Sequence, residues 1–121
     1  MTKYDIRDRA LEFAVRCAKL TKHLVRSQIS LEYSKQLIRS SASIGANIEE
    51  ADGAISRKDF VNKMAIARRE ARESRYWLRL IHRIDICPDQ TTEQESITLA
   101  REAEEILLIL SSIVNKARGK H

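Results

Sequence analysis

Apolar or small residues recur at Ile6, Ala10, Phe13, Cys17, Leu20 and Leu24 in alternating steps of four and three, which places them on one face of a helix. That spacing predicts a first helix over about residues 5–26. Ser27 to Ser30 interrupt the pattern, and Ser30 is the expected N-cap, accepting from an otherwise unpaired backbone N–H. Leu37, Ser41, Ile44, Ile48, Ala51 and Ile55 carry the same period through a second helix, about 31–53, with Gly53 as its C-terminal cap. Ser56 followed by Asp59 resembles a capping arrangement and opens a third helix, about 57–86, whose stripe is Phe60, Met64, Ala67, Ala71, Ser74, Leu78 and Ile81. Pro88 cannot continue a helix, because it lacks an N–H and clashes with the preceding turn. Thr92 and Glu95 then form the T-x-x-E pattern expected to start a fourth helix, about 93–117.

Four amphipathic segments with short connections predict an all-α, up-down-up-down antiparallel four-helix bundle, a single domain over 1–121. The fourth helix carries two adjacent apolar seams: Ala103, Leu107, Leu110 and Val114 on one, Ile106, Ile109 and Ile113 on the other. One seam fills the core. The second, with Trp77 and Ile84 on another face of the third helix, is expected to meet a second copy of the chain, so that the bundle oligomerises through lateral helix faces. The plainer alternative is a broad apolar face that only widens the monomer core.

Composition narrows the class further. Of 121 residues, 43% are hydrophobic and 32% charged, with Gly 3 and Pro 1, which excludes disordered, collagenous and Gly-rich β architectures. Cys17 and Cys87 form no CxxC pair, so neither a disulfide framework nor a zinc ribbon is available, and a reducing, cytoplasmic setting is expected. The longest apolar run, Ile106 to Leu110, falls far short of the roughly 18 residues a membrane span needs, and the first residues show no signal-peptide pattern.

The net charge of +5 is unevenly spread. Residues 56–87 hold 9 Lys and Arg against 4 Asp and Glu, whereas residues 88–121 hold 4 against 6. At about 100° per residue, Arg57, Arg68, Arg72, Arg75, Arg79 and Arg83 share one sector of the third helix and form a ridge about 39 Å long. Guanidinium forks suit nucleic-acid phosphates, since each donates two hydrogen bonds while condensed counterions are displaced. Tyr76 and Trp77 are the nearby stacking candidates, and Trp77 points away from the ridge, so backbone contact is expected rather than sequence reading. The alternative is a solvated face neutralised by internal carboxylates.

Catalytic patterns are missing. His23, His82 and His121 are scattered, no Glu-x-x-His pair exists for a di-iron site, and no phosphate-loop, dinucleotide or zinc-protease motif occurs. None of the histidines follows the Arg-x-x-x-x-His spacing of helical ribonucleases. His82, Asp85 and Cys87 are close enough in sequence to be weighed as metal ligands, but a solvent-facing histidine near a helix C-terminus is the plainer reading. The chain is therefore expected to be non-enzymatic and to use no cofactor.

Gln36-Leu37-Ile38-Arg39-Ser40, Ser43-Ile44-Gly45-Ala46-Asn47-Ile48-Glu49-Glu50-Ala51, Asp59-Phe60, Ile66-Ala67 and Glu70 to Leu78 form distinctive blocks. With them the chain resembles the four-helix-bundle proteins encoded in intervening sequences of bacterial 23S ribosomal RNA genes, a superfamily that includes the accessory variability determinant of diversity-generating retroelements. The resemblance implies a homo-oligomer, a pentameric barrel with a basic surface and no established enzymatic activity. Through the retroelement member it implies contact with nucleic acid and with a reverse transcriptase. The blocks also read physically. Ser40, Ser41, Ala42, Ser43, Gly45 and Ala46 are small enough for a neighbouring helix to approach closely. Asn47, Glu50 and Glu73 are placed to form a register-fixing polar network with Arg39 or Arg72. The function expected is an accessory oligomer that binds RNA or DNA backbone; the alternative is a structural oligomer whose basic face receives an acidic protein.

Overall fold

The computed structural model describes residues 5–119, so His121 lies outside the described residues. Four helices follow in order: α1 (Ile6–Thr21), α2 (Gln28–Asp52), α3 (Arg57–Arg83) and α4 (Gln90–Ala117). Each packs against its neighbours in a ring, α3 most extensively against α2 and α4, while the diagonal pairs make no close backbone approach among the described residues. This is the up-down-up-down four-helix bundle that the periodicity predicts. No helix among the described residues is long and apolar enough to cross a membrane.

The helix starts obey local hydrogen-bond demand more strictly than the sequence pattern suggests. Ser56 caps α3 as expected, its Oγ accepting from Asp59 N at 3.0 Å. Helix α2, however, starts three residues before its predicted position: Ser27 is the cap, in extended backbone, and accepts from the N–H of Ser30 at 3.0 Å, while Ser30 is buried inside the first turn. The same shift occurs at α4, where the Asp89 carboxylate accepts from Thr92 N at 2.7 Å and Thr92 is buried. A carboxylate is the stronger acceptor beside the positive end of a helix, so Asp89 displaces Thr92 from the cap. That bond holds the Asp89 carboxyl below its ordinary 3.8.

Two helices stop earlier than expected. Helix α1 ends at Thr21 rather than Arg26, and α3 at Arg83 rather than Ile86, with Asp85 in the left-handed region at φ 62°. Leu24 and Ile86 are nevertheless buried, because their loops fold inward together: the N–H of Val25 donates to the carbonyl of Ile86 at 2.9 Å.

The core contains most of the predicted stripes, including Phe13, Cys17, Leu37, Ile44, Leu78, Ile81, Leu110 and Val114, but Ile55, assigned to the α2 stripe, lies beyond the end of α2 and is 95% exposed. Burial pushes the Cys17 thiol up to about 12, as suits a small core residue rather than a reactive one. One expectation is overturned: Ile106, assigned to an outward seam, is 0% exposed and belongs to the monomer core. Trp77, Ile84 and Ile113 are half-buried and also pack against that core, and Ile109 is half-buried. The buried arc of α4 thus takes in Ile106 of the second seam, while Ile109 and Ile113 keep part of their surface exposed. Large apolar side chains are exposed on the first hairpin, at Leu11 (64%), Val15 (38%), Leu31 (51%) and Ile38 (43%), and on α4 at Leu108 (59%).

Candidate nucleic-acid interface

The small-residue block of α2 has two separate roles. Toward α3, the hydroxyls of Ser40 and Ser74 meet at 2.8 Å in a fully buried contact, which satisfies both polar groups. Toward α1, a Cβ placed on Gly45 would lie 3.7 Å from the Cβ of Ala10, an ordinary contact. The two helices therefore approach closely enough for glycine to fit well, but not so closely that alanine is barred.

The polar network that fixes α2 against α3 keeps the expected pair of Arg39 with Glu73 but otherwise draws on different residues. Arg39 pairs with Glu73 and, at 3.2 Å, with Glu70, which is only 7% exposed. Glu73 in turn accepts from the indole Nε1 of Trp77 at 3.3 Å. Asn47 stands outside this network and donates to the carbonyl and hydroxyl of Ser43 on its own helix, at 2.9 and 3.1 Å. Neither Glu50 nor Arg72 joins it among the described residues. Glu70, a candidate partner for the ridge arginines of its own helix, pairs instead with Arg39, 31 positions away on α2.

The ridge arginines come to one side of α3 as the helical angle predicts. Arg75 pairs with Glu104 of α4. Arg57, Arg68, Arg72, Arg79 and Arg83 have no carboxylate within ion-pairing distance among the described residues. Internal neutralisation, the alternative reading of this face, therefore applies to Arg75 alone.

Beside the ridge, α3 and α4 enclose an open groove of about 840 Å³, and Arg75, Tyr76, Arg79 and Arg83 line it from α3. Helix α4 contributes Ile97, Ala100, Arg101 and Glu104. Arg101 is a cation the sequence reading missed; its signal was its place one turn before Glu104, the carboxylate that meets the ridge. Tyr76 is 58% exposed, and its ring packs edge-on against Trp77 with centroids 5.3 Å apart. Trp77 is turned the other way, toward Tyr33 of α2 at 5.8 Å.

Among the described residues no three His, Cys, Asp or Glu side chains converge closely enough to hold a metal ion, so His82, Asp85 and Cys87 do not form the weighed metal site. His82 Nδ1 is buried without a hydrogen bond, 3.8 Å from Glu93 Oε2.

Fold and groove together define a helical bundle with a basic α3 face on which, among the described residues, Arg75 is ion-paired and the other ridge arginines are not. The chain matches the family model described as 23S rRNA-intervening sequence protein over residues 2–112, and it belongs to that family. It is also similar to a crystal structure from Bacteroides thetaiotaomicron, a protein of unknown function from the S23 ribosomal protein family. The two share 43% identity and superpose with a TM-score of 0.80, covering 91% of this chain and 98% of that one. No curated protein matches the chain.

Proposed function

We propose that the protein is a non-enzymatic accessory factor that binds nucleic-acid phosphates along α3, acting as a homo-oligomer in the cytoplasm. The observation that carries this reading is that, among the described residues, Arg68, Arg72, Arg79 and Arg83 have no ion-pair partner on one face of a helix whose neighbour, α4, gives Glu95, Glu102 and Glu105 to α1. A line of guanidinium groups facing solvent without carboxylate partners is suited to polyanion contact. Association between copies is supported by Leu11, Val15, Leu31 and Ile38, exposed apolar positions on the first hairpin that the monomer leaves uncovered.

Fluorescence anisotropy with a labelled mixed-sequence RNA or DNA of about 30 nucleotides, titrated across salt, tests the reading. Binding should fall linearly in log salt. The variant Arg72→Glu/Arg79→Glu/Arg83→Glu should bind at least about 100-fold more weakly at low salt while melting at the parental temperature. Parental binding by that variant removes α3 from the function. Binding of an acidic protein but of no nucleic acid establishes the alternative class. Light scattering on the same samples gives the subunit count against the 13.9 kDa chain, with five copies expected from the family resemblance.

A further inference from the structure

The groove between α3 and α4 has more than charge, and the additional features point to one form of polyanion. Resting on the reading of the ridge as a phosphate-contact surface, we infer that this groove takes single-stranded nucleic acid, with a base held against Tyr76 and phosphates on Arg79, Arg83 and Arg101. Arg79 and Arg83 stand one turn apart on α3, about 6 Å along the axis, and Arg101 faces them from α4, so cations occupy both banks. The one carboxylate lining the groove, Glu104, is already held by Arg75, which leaves these three guanidinium groups for a ligand. The α4 lining also includes Ile97 and Ala100, apolar side chains that contribute nothing to phosphate binding.

Tyr76 completes the arrangement. Its ring is exposed at the lip of the groove yet held in place from behind by Trp77, whose indole is fixed by Glu73 and by Tyr33. An ordered aromatic ring beside cations is the device by which single-strand grooves stack a base without reading its identity. A duplex keeps its base faces stacked inside and presents phosphates and groove edges, so it can touch the arginines but offers no open base face to the ring. RNA and single-stranded DNA share the chemistry the groove recognises.

The test compares labelled oligouridylate, oligothymidylate, an abasic DNA strand and a mixed-sequence duplex, all of about 15 units, at one salt concentration. Both single strands should bind at least about 10-fold more tightly than the duplex and the abasic strand. Tyr76→Ala should lower single-strand affinity by about 10-fold and leave duplex affinity unchanged, and Tyr76→Phe should behave as the parent. Arg101→Glu should weaken binding of every probe. Tyr76 is exposed, and thermal melting of each variant establishes that it folds. Equal binding of strand and duplex, or an unaffected Tyr76→Ala variant, overturns the single-strand inference and leaves the phosphate-contact reading standing. Binding of no probe at low salt overturns both. Oligodeoxyuridylate, which differs from oligouridylate only in the sugar, distinguishes an RNA ligand from a DNA one, and preference for either strand over the duplex supports the inference.

Discussion

The two flanks of α4 treat arginine in opposite ways. On the α1 side, Arg9 makes a forked pair with Glu102 at 2.6 and 2.8 Å and reaches Glu105 at 2.5 Å, while Arg16 forks onto Glu95 at 3.0 and 2.9 Å. These carboxylate hydrogen bonds hold both guanidinium groups further above their already high range. On the α3 side, α4 offers Glu104 to Arg75 and adds a further cation, Arg101. The lesson is that the basic excess of α1 is structural and that of α3 is available. What separates them is not arginine content but where a third helix places its glutamates.

The largest effect that can break this comparison is on binding. Arg79→Glu/Arg83→Glu should abolish nucleic-acid binding in a gel-shift assay at low salt without altering the melt, whereas Arg9→Glu/Arg16→Glu should retain it. The reverse holds for stability. Removing both α1 arginines (Arg9→Ala/Arg16→Ala) should cost about 2 kcal/mol in urea unfolding, as expected for partly shielded forked pairs, and alanine at Arg79 and Arg83 should cost less than about 0.5 kcal/mol. A similar loss from both pairs of substitutions would show that the flanks do not differ.

Smaller effects sharpen it. Gly45→Ala should stabilise the protein by about 0.5–1 kcal/mol through helix propensity, because the added methyl meets Ala10 at an ordinary distance. A loss in the same unfolding experiment would mean that α1 sits more tightly on α2 than the 3.7 Å separation allows. The smallest expected effect concerns acid. The Asp89 carboxyl is held low by the Thr92 N–H, so its capping contribution is present above its ordinary 3.8 and is lost as pH falls through the lower folded value. Melting temperatures followed downward from neutral pH should therefore decline less steeply below about pH 4 for Asp89→Ser, a neutral cap, than for the parent.

Much of this architecture was legible because the signals were local. Ala10, Phe13, Cys17 and Leu20 on α1, and Met64, Ala67, Ala71 and Leu78 on α3, are buried where a period of three and four residues places them. The cap errors at Ser30 and Thr92 have a local cause as well. In each case two polar residues three apart were eligible, and the earlier one adopted the extended backbone that a cap needs. Leu24 extended the α1 stripe misleadingly, since loop residues that fold inward are as apolar as helical ones, and Pro88 only bounded α3, which stops at Arg83, five residues before it. The arginine ridge could be drawn from helical angle alone, but its available charge could not, because the deciding carboxylates lie on another helix. Ile106 was misplaced for a related reason: the width of a helix's buried arc depends on how many neighbours flank it, and α4 is flanked on both sides.

The bond from Val25 to Ile86 has a wider bearing than its single 2.9 Å contact suggests. It joins two connections that lie outside every helix, so the α1–α2 hairpin and the α3–α4 hairpin are fastened to each other by main chain as well as by side chains. The Val25 amide proton should then resist exchange with solvent, although the residue itself is exposed and flanked by turns. It offers a spectroscopic marker at the turn end of the bundle: the two hairpins cannot separate there without releasing that one proton.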